Sequence, residues 1–408
     1  MSMDSKVPEI RFKGFSTNWL NFNLSQITDV YDGTHQTPAY TKSGVMFLSA
    51  ENIKSLTSTK FISEEAFKRE FKVYPKKNDV LMTRIGDVGT ANVVETDDDR
   101  AYYVTLALLK YKKISPYFLK SSIASPFVQK DIWLRTLHIA FPKKINMNEI
   151  KKVVVNCPPD VVESDKIGQY FKNLDALITQ HQQKHDKLSS IKKAMLEKMF
   201  PQQGETIPEI RFKGFSGEWE RKKLGEIGDT FTGLSGKTKD DFGHGQGRFV
   251  TYLNVFSNAI SNENSVEPIE IDTNQNEVKK GDVFFTTSSE TPEEVGMSSI
   301  WMSEIKNVYL NSFCFGYRPK QKFDNYYLAY MFRSNSFREK VVFLAQGISR
   351  YNISKTKVMD IKISIPNLTE QEKIGNYFQN LDTLINKHQE QIAKLNNIKQ
   401  ACLSKMFV

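Results

Sequence analysis

Residues 164–200, SDKIGQYFKNLDALITQHQQKHDKLSSIKKAMLEKMF, decide the fold, because the chain contains this stretch twice. The second copy, residues 371–407, reads QEKIGNYFQNLDTLINKHQEQIAKLNNIKQACLSKMF. From Ile167 against Ile374 to Phe200 against Phe407 the copies align without a gap, and 20 of 34 positions are identical. In the first copy Ile167, Phe171, Leu174, Ile178, His181, His185 and Leu188 recur at alternating steps of four and three. In the second, Ile374, Phe378, Leu381, Ile385, His388, Ile392 and Leu395 do the same. Such spacing draws a narrow seam along one helix face, the pattern of a coiled coil. At about 1.5 Å per residue each helix extends roughly 55 Å. Neither can bury its seam alone, and each is the natural partner of the other.

A second repeat stands ahead of each helix. VPEIRFKGFSTNW (Val7 to Trp19) returns as IPEIRFKGFSGEW (Ile207 to Trp219), with 10 of 13 positions identical. Leu24, Ile27 and Gly33 are echoed by Leu224, Ile227 and Gly233, and Asn52-Ile53 by Asn254-Val255. KKNDVLMTR (Lys76 to Arg84) is echoed by KKGDVFFTT (Lys279 to Thr287), a tight turn leading into a buried strand. Between these anchors the halves share little, so the chain reads as one scaffold used twice to carry two different binding segments.

The expected organisation is α+β. Two similar mixed α/β domains are separated by two long helices that pair as an antiparallel coiled coil, in a pseudo-two-fold cyclic repeat. The boundaries are a first domain over residues 1–159, the central helix over 160–200, a linker over 201–206, a second domain over 207–366 and the last helix over 367–408. Each domain should hold one helix before its closing strand, Tyr117 to Ile132 and Asn325 to Phe343. The closing strands end at Pro159 and Pro366. Thr369 and Glu372 form a capping-box pattern for the last helix, whereas Asp160 or Ser164 should cap the central one.

A 39% hydrophobic and 25% charged chain of 408 residues is a folded protein with room for more than one core. Its net charge of +9 suits a polyanion, although a Lys-rich surface also serves solubility. Cys157, Cys314 and Cys402 are scattered and form neither a disulfide framework nor a zinc knuckle. The N-terminal MSMDSKVPEI has no apolar signal core, and no apolar run is long enough to span a membrane. A cytoplasmic protein without membrane contact is expected.

Apparent catalytic motifs fail on spacing. Gly233-Leu-Ser-Gly-Lys237-Thr238 lacks the first glycine of a P-loop, where Phe231 stands. Gly243 to Gly247 is glycine-dense without the dinucleotide spacing. His181 and His185 share a helix face, but Ile392 occupies the place equivalent to His185, which favours packing over a metal. Asn156-Cys-Pro-Pro159 and the Glu-x-Lys pairs at Glu277 and Glu304 each occur in one half only. No nucleophile, base and oxyanion donors assemble, and no metal site is expected.

Binding equipment remains. In the first half the candidates are Thr37, Tyr40, Lys42, Arg84, Arg135, His138, Lys143, Lys144 and Asn146. In the second they are Lys237, Lys239, Arg248, Thr287, Ser288, Ser289, Arg350, Tyr351 and Asn352. Arg and Lys neutralise phosphate or fork onto guanine, and Asn suits adenine. Ordinary hydrophilic loops would have the same composition.

The duplicated PEIRFKGF…W motif, the GDV-type turn, the strand ending in proline and the IGxYFxNLDxLI helix resemble the specificity subunits of type I restriction–modification systems. The resemblance covers essentially the whole chain. It implies that the variable regions are target recognition domains for double-stranded DNA and that the helices are spacers docking two methyltransferase subunits. It further implies that S-adenosylmethionine belongs to those partners, that ATP and magnesium belong to restriction–translocase subunits, and that this chain is non-catalytic with no cofactor of its own. A free-standing bipartite DNA-binding regulator and a protein-interaction scaffold are the rival readings. The first would bind its site without partners, and the second would show no steep loss of affinity with salt.

If the helices set the distance between half-sites, their length sets the unread spacer in the target. Duplicating Thr179 to Gln182 together with Asn386 to Gln389 adds about 6 Å and rotates the far end by only about 40°. Mapping of modified adenines should then show unchanged half-sites and a spacer longer by about one or two base pairs. An active protein with the original spacer would exclude a ruler.

Overall fold

The computed structural model describes residues 7–112 and 114–408, so residues 1–6 of the polar N-terminal stretch lie outside the described residues. Two compact units emerge, one of residues 1–182 with 389–408, the other of residues 183–388.

In the first unit β1 (Leu20–Asn23) leads through one helical turn, α1 (Leu24–Ile27), into β2 (Asp29–Asp32). Next come β3 (Val45–Leu48), β4 (Phe61–Ile62), α2 (Glu64–Glu70) and β5 (Val80–Thr83). β6 (Ala91–Val93), β7 (Arg100–Tyr102) and β8 (Leu106–Lys110) follow. Then α3 (Pro116–Ala124), α4 (Pro126–Arg135), α5 (Met147–Lys152) and β9 (Val154–Cys157) lead to the long helix α6 (Val161–Lys198). The strands form an antiparallel sheet ordered β2-β8-β5-β6, a second sheet β4-β3-β7 and the pair β1-β9.

β5 and β8 are buried on both faces, and their side chains divide by period two. Val80, Met82, Ala107 and Leu109 enter a core with α3, α4 and α6. Leu81, Leu106 and Leu108 enter another with the β4-β3-β7 sheet. A sheet between two apolar layers needs an unbroken apolar run, which is why these strands do not alternate in hydrophobicity. The turn before β5 is as expected: Asn78 sits at φ 72°, and the buried Asp79 accepts from the Lys76 amide and the Lys110 ammonium.

The second unit follows a similar order, without a counterpart of α2 and with an added two-stranded ribbon. β10 (Glu220–Lys223), α7 (Leu224–Ile227), β11 (Gly228–Thr232), β12 (Phe242–Val250) and α8 (Tyr252–Ser257) open it. β13 (Val266–Ile269), β14 (Val283–Thr286), β15 (Ser288–Ser289), β16 (Ser298–Ile300), β17 (Val308–Leu310) and β18 (Cys314–Pro319) form its centre. α9 (Asn325–Met331), α10 (Asn335–Leu344), β19 (Tyr351–Asn352), α11 (Lys355–Met359) and β20 (Lys362–Ile365) lead to α12 (Leu368–Lys405). Its sheets are β11-β18-β14-β16, β13-β12-β17, β10-β20 and the short ribbon β15-β19.

Three local expectations are corrected. The helix expected over Tyr117 to Ile132 is two helices, because Pro126 has no amide to continue α3 and Ser125 turns extended to cap α4. The helix expected over Asn325 to Phe343 is also two. Ser334 is extended there, and the half-buried Arg333 donates to the Val255, Phe256, Asn258 and Ser298 carbonyls. The capping box on Thr369 is replaced by Asn367, whose side chain accepts from the Glu370 amide, since α12 begins at Leu368. Asp160 caps α6 through the Val162 amide, one of the two expected residues.

The repeated entry motif is a clasp. Arg11 makes a bidentate pair with the buried Glu163 near the start of α6, at 2.5 and 2.6 Å. Arg211 does the same with the buried Glu370 on α12, at 2.6 and 2.7 Å. The neighbouring residues hold the end of the other long helix: the Ile10 amide donates to the Lys405 carbonyl, and Glu9 pairs with the Lys405 ammonium. In the second unit the Ile210 amide donates to the Lys198 carbonyl, and Glu209 pairs with Lys198. One Glu-Ile-Arg tripeptide thus ties the first turn of one helix to the last turn of its antiparallel neighbour. Trp19 closes the first junction against Phe118 and Phe407, and Trp219 closes the second against Phe200 and Tyr327.

Removing one member of a buried ion pair leaves an uncompensated charge, a cost of about 3–5 kcal/mol. Glu163→Ala and Glu370→Ala should each lower the unfolding free energy by that order in urea titration. Glu9→Ala, which breaks an exposed pair, should change it by less than about 1 kcal/mol. Equal effects from the buried and exposed glutamates would refute the clasp.

Candidate nucleic-acid interface and the paired helices

The helix seam falls where the apolar spacing placed it. In the first unit Ile167, Phe171 and Leu174 are buried, Ile178 is half-buried, Ile392 from α12 is buried, and Leu395 packs against the same core. In the second unit Ile374, Phe378 and Leu381 are buried, and Ile385 and Leu188 are half-buried. Pairing is antiparallel in each: Phe171 meets Phe407 with ring centres 5.7 Å apart, and Phe378 meets Phe200 at 6.0 Å. Towards its start each helix presses its seam into the core of its unit as well as against the end of the other helix, so the seam is more deeply buried there than a two-stranded coil would allow. Gly168 and Gly375 permit this approach. A Cβ at Gly168 would stand 2.7 Å from the Phe118 amide nitrogen, and one at Gly375 would stand 2.7 Å from that of Tyr327.

An equivalent carboxylate bridges the helices in each unit. Asp175 binds Lys399 at 2.6 Å and Lys120 at 2.8 Å. Asp382 binds Lys192 at 2.5 Å and the Tyr330 hydroxyl at 2.8 Å. Sequence reasoning missed both, along with the terminal Met-Phe pairs, Met199-Phe200 and Met406-Phe407, which are core residues. The repetition of Asp and of Lys-Met-Phe in both copies was the available signal.

The binding loops gather at one end of each four-stranded sheet. β2 ends opposite the start of β8, and β5 ends beside it, so the segments after Asp32 and after Thr83 leave from the same edge. Gly33 is required there, because a Cβ would come within 2.5 Å of the Tyr103 carbonyl; at Gly233 one would come within 2.0 Å of the Asn311 carbonyl oxygen. Arg84 is the node of the first cluster. Its buried guanidinium donates to Asp32 at 2.5 Å and to the Val104 and Ile145 carbonyls. Asp32 also meets His35 at 3.0 Å, which draws the next loop to the same point. The Arg84 carbonyl accepts from the Ile145 amide, the Lys143 carbonyl from Gly86, and the Lys144 carbonyl from Leu137. Arg84 is thereby a scaffold for the loops and is withdrawn from solvent.

In the second unit the Ile353 amide donates to the Thr287 carbonyl, the counterpart of Ile145 on Arg84. Ser288 pairs with Asn352 and Ser289 with Tyr351 in the β15-β19 ribbon. Both serines are buried, whereas Arg350 and Asn352 are exposed and Tyr351 is half-buried.

The remaining candidates divide by what they touch. Lys42, Lys143, Lys144, Lys239 and Thr37 are exposed, as is Asn146 at the start of α5. His138 is exposed, with a ring nitrogen 2.8 Å from the Trp133 carbonyl oxygen. Tyr40 packs edge-on against Phe47 beneath the Lys60 ammonium. Arg135 is held by Asp131 and Glu149. Arg248 donates to the Gly245 and Gly247 carbonyls. Lys237 is answered by Asp272 at 2.8 Å, and beside it the Asp272 carboxyl is pulled down to about 2. A lysine so neutralised is poorly placed to cradle phosphates, in keeping with the missing P-loop glycine. Among the described residues, no His, Cys, Asp or Glu group is arranged to hold a metal ion.

Residues 216–397 match the family model of the type I restriction modification DNA specificity domain. A specificity subunit of a type I restriction enzyme in Methanocaldococcus jannaschii, MjaX, is 26% identical over 201 residues. That match covers 47% of this chain and 45% of the relative, so it spans about half the relative's length. A type I restriction–modification S subunit from M. genitalium has the same fold, with a TM-score of 0.59 at 14% identity. The alignment covers 98% of this chain and 99% of that one. A chain from a type I system studied for complex assembly and conformational transition superposes with a TM-score of 0.52 at 15% identity, covering 94% and 96%.

The bridging carboxylate gives the helix junction a pH dependence. Burial by itself would raise the Asp175 pKa, but Lys120 and Lys399 outweigh it and hold the carboxyl below its ordinary value. A depressed folded-state pKa supplies stability that is complete above the unfolded value of about 3.9 and is lost as pH falls through the folded one. Asp175→Asn should lower the melting temperature at neutral pH and remove part of the decline seen below about pH 4. Calorimetry showing the same acid decline in variant and parent would exclude Asp175 as the titrating bridge.

Proposed function

We propose that this chain belongs to the type I restriction modification DNA specificity family and is the subunit that reads DNA for a type I restriction–modification complex. Each unit recognises one half of a bipartite duplex site, and the long helices set the spacing and dock two adenine methyltransferase subunits. The observation that carries this reading is the same loop cluster at the same sheet end in both units, on matching clasps, with different loop sequences. A repeated scaffold with two unlike reading edges is what a split, asymmetric target requires.

Supporting this, the exposed Lys143, Lys144 and Arg350 project from those clusters, and the chain carries a net charge of +9. Cations of this kind neutralise phosphates, while Asn352 offers the amide that pairs with adenine. Docking of the methyltransferases is supported by Leu177 and Leu384, equivalent leucines that face solvent on α6 and α12. S-adenosylmethionine is then held by the modification partners, and ATP with magnesium by restriction–translocase partners. The chain's part is recognition and positioning, with no bond made or broken on it. A cytoplasmic location follows from that role; among the described residues no helix is long and apolar enough to cross a membrane.

Replacing residues 20–157 by the corresponding region of another family member tests the division of labour. Mapping of methylated adenines in cells should show one half-site changed, with the other half and the spacer retained. Simultaneous change of both halves would sink the two-reader model, and unaltered methylation would sink the assignment to DNA.

A further inference from the structure

The hairpin beside each loop cluster ends in fully exposed apolar side chains. In the first unit Leu137 to Lys144 forms a hairpin whose base is closed by the Leu137 amide on the Lys144 carbonyl. At its tip Ile139 and Phe141 have relative exposures of 103% and 104%. In the second unit Gln346 and Asn352 exchange both backbone hydrogen bonds, and Ile348 between them is 98% exposed. The two tips, HIAFPK and GISR, share no sequence. Each nevertheless raises a bare apolar side chain beside exposed cations, Lys143 and Lys144 in one case and Arg350 in the other.

We infer that Phe141 and Ile348 are wedges that enter the stack of a DNA duplex at the two half-sites. This rests on the proposal that the loop clusters read DNA. Solvent exposure this complete means the tips add nothing to the stability of the fold. An apolar protein groove could also cover them, but the flanking cations would then be buried unpaired; against DNA the same cations meet phosphates while the apolar group meets base faces. Apolar side chains, Phe and Ile among them, kink duplexes by partial intercalation between base steps. Such a wedge must be braced, and both hairpins are. Lys143 and Ile145 are hydrogen-bonded to Gly86 and Arg84, and Arg84 is locked on Asp32. Ile353 is bonded to Thr287, and the β15-β19 ladder stiffens the stem. A partner that modifies a base must take it out of the stack, and an adjacent unstacked step makes that easier.

The test uses the full chain with the subunits that copurify with it and a duplex enriched from a random pool. Binding is measured by gel mobility. Unstacking is read in the bound complex by permanganate at thymines and hydroxylamine at cytosines, so that every base pair has a reporter. The expected result is one hyperreactive step in each half-site. Phe141→Ala should abolish it in one half, Ile348→Ala in the other, and Phe141→Ala should weaken binding about tenfold. Phe141→Trp should restore the first step, with indole emission quenched on binding. Bound DNA without a hyperreactive step, or with a step that survives both alanine variants, overturns the wedge and leaves DNA reading intact. Alanine variants that bind DNA normally but lose a copurifying subunit would instead make the tips protein contacts. If no duplex is enriched, the wedge falls together with the DNA-reading proposal.

Discussion

The buried arginine–glutamate pair is the contact on which the rest of each unit depends. Glu163 and Glu370 lie at the starts of the long helices with no exposed surface, and Arg11 and Arg211 match their charge. A hydrophobic contact at that point would tolerate sliding by a turn, because apolar packing has little directional preference. A forked, bidentate pair does not tolerate it. The clasp therefore fixes the axial position of one helix against the end of the other, and the aromatic junction of Trp19, Phe118, Phe171 and Phe407 can pack in one arrangement. Trp219, Tyr327, Phe378 and Phe200 are the matching set.

From that fixed point the order of construction is clear. The helix start anchors α3 or α9 through the contact made at Gly168 or Gly375. Those helices cover one face of the four-stranded sheet, and the far end of the sheet presents the loops. Variation in the loops leaves the clasp untouched, since the loops meet the sheet edge, one another and the end of α4. Two unlike loop surfaces can therefore be carried on scaffolds that share the same clasp.

The parts of this arrangement that could be read from sequence are those that repeat or have a period. The seams of α6 and α12 were legible because apolar residues recur at three and four and because the copies agree. The turns at Asn78 and Gly281 were legible because their following strands are continuous apolar runs. The PEIRFKGF motif could be found, but its work could not be deduced, since Glu163 lies 152 residues from Arg11. The candidate site was legible as loops and much less so as side chains. Arg84 looks like any basic loop residue until Asp32 and two backbone segments are seen around it. Ser288 and Ser289 look like polar tips until their ladder with β19 buries them. Phe141 and Ile348 drew no notice, because an apolar residue in a sequence carries no sign of whether anything covers it.

The composition of the units imposes an order on folding. The first unit needs residues 389–408, since Leu403, Met406 and Phe407 belong to its core. The second is complete within residues 183–388. On a ribosome the earlier-made unit must therefore wait, with the socket around Trp19 and Phe118 open, while the later-made one acquires everything it needs. The domain nearest the N-terminus is the last to close, the reverse of the usual sequence in chains that fold domain by domain during synthesis. Until α12 arrives, that open aromatic socket is the apolar surface most exposed to a wrong partner, including the equivalent helix end at Phe200.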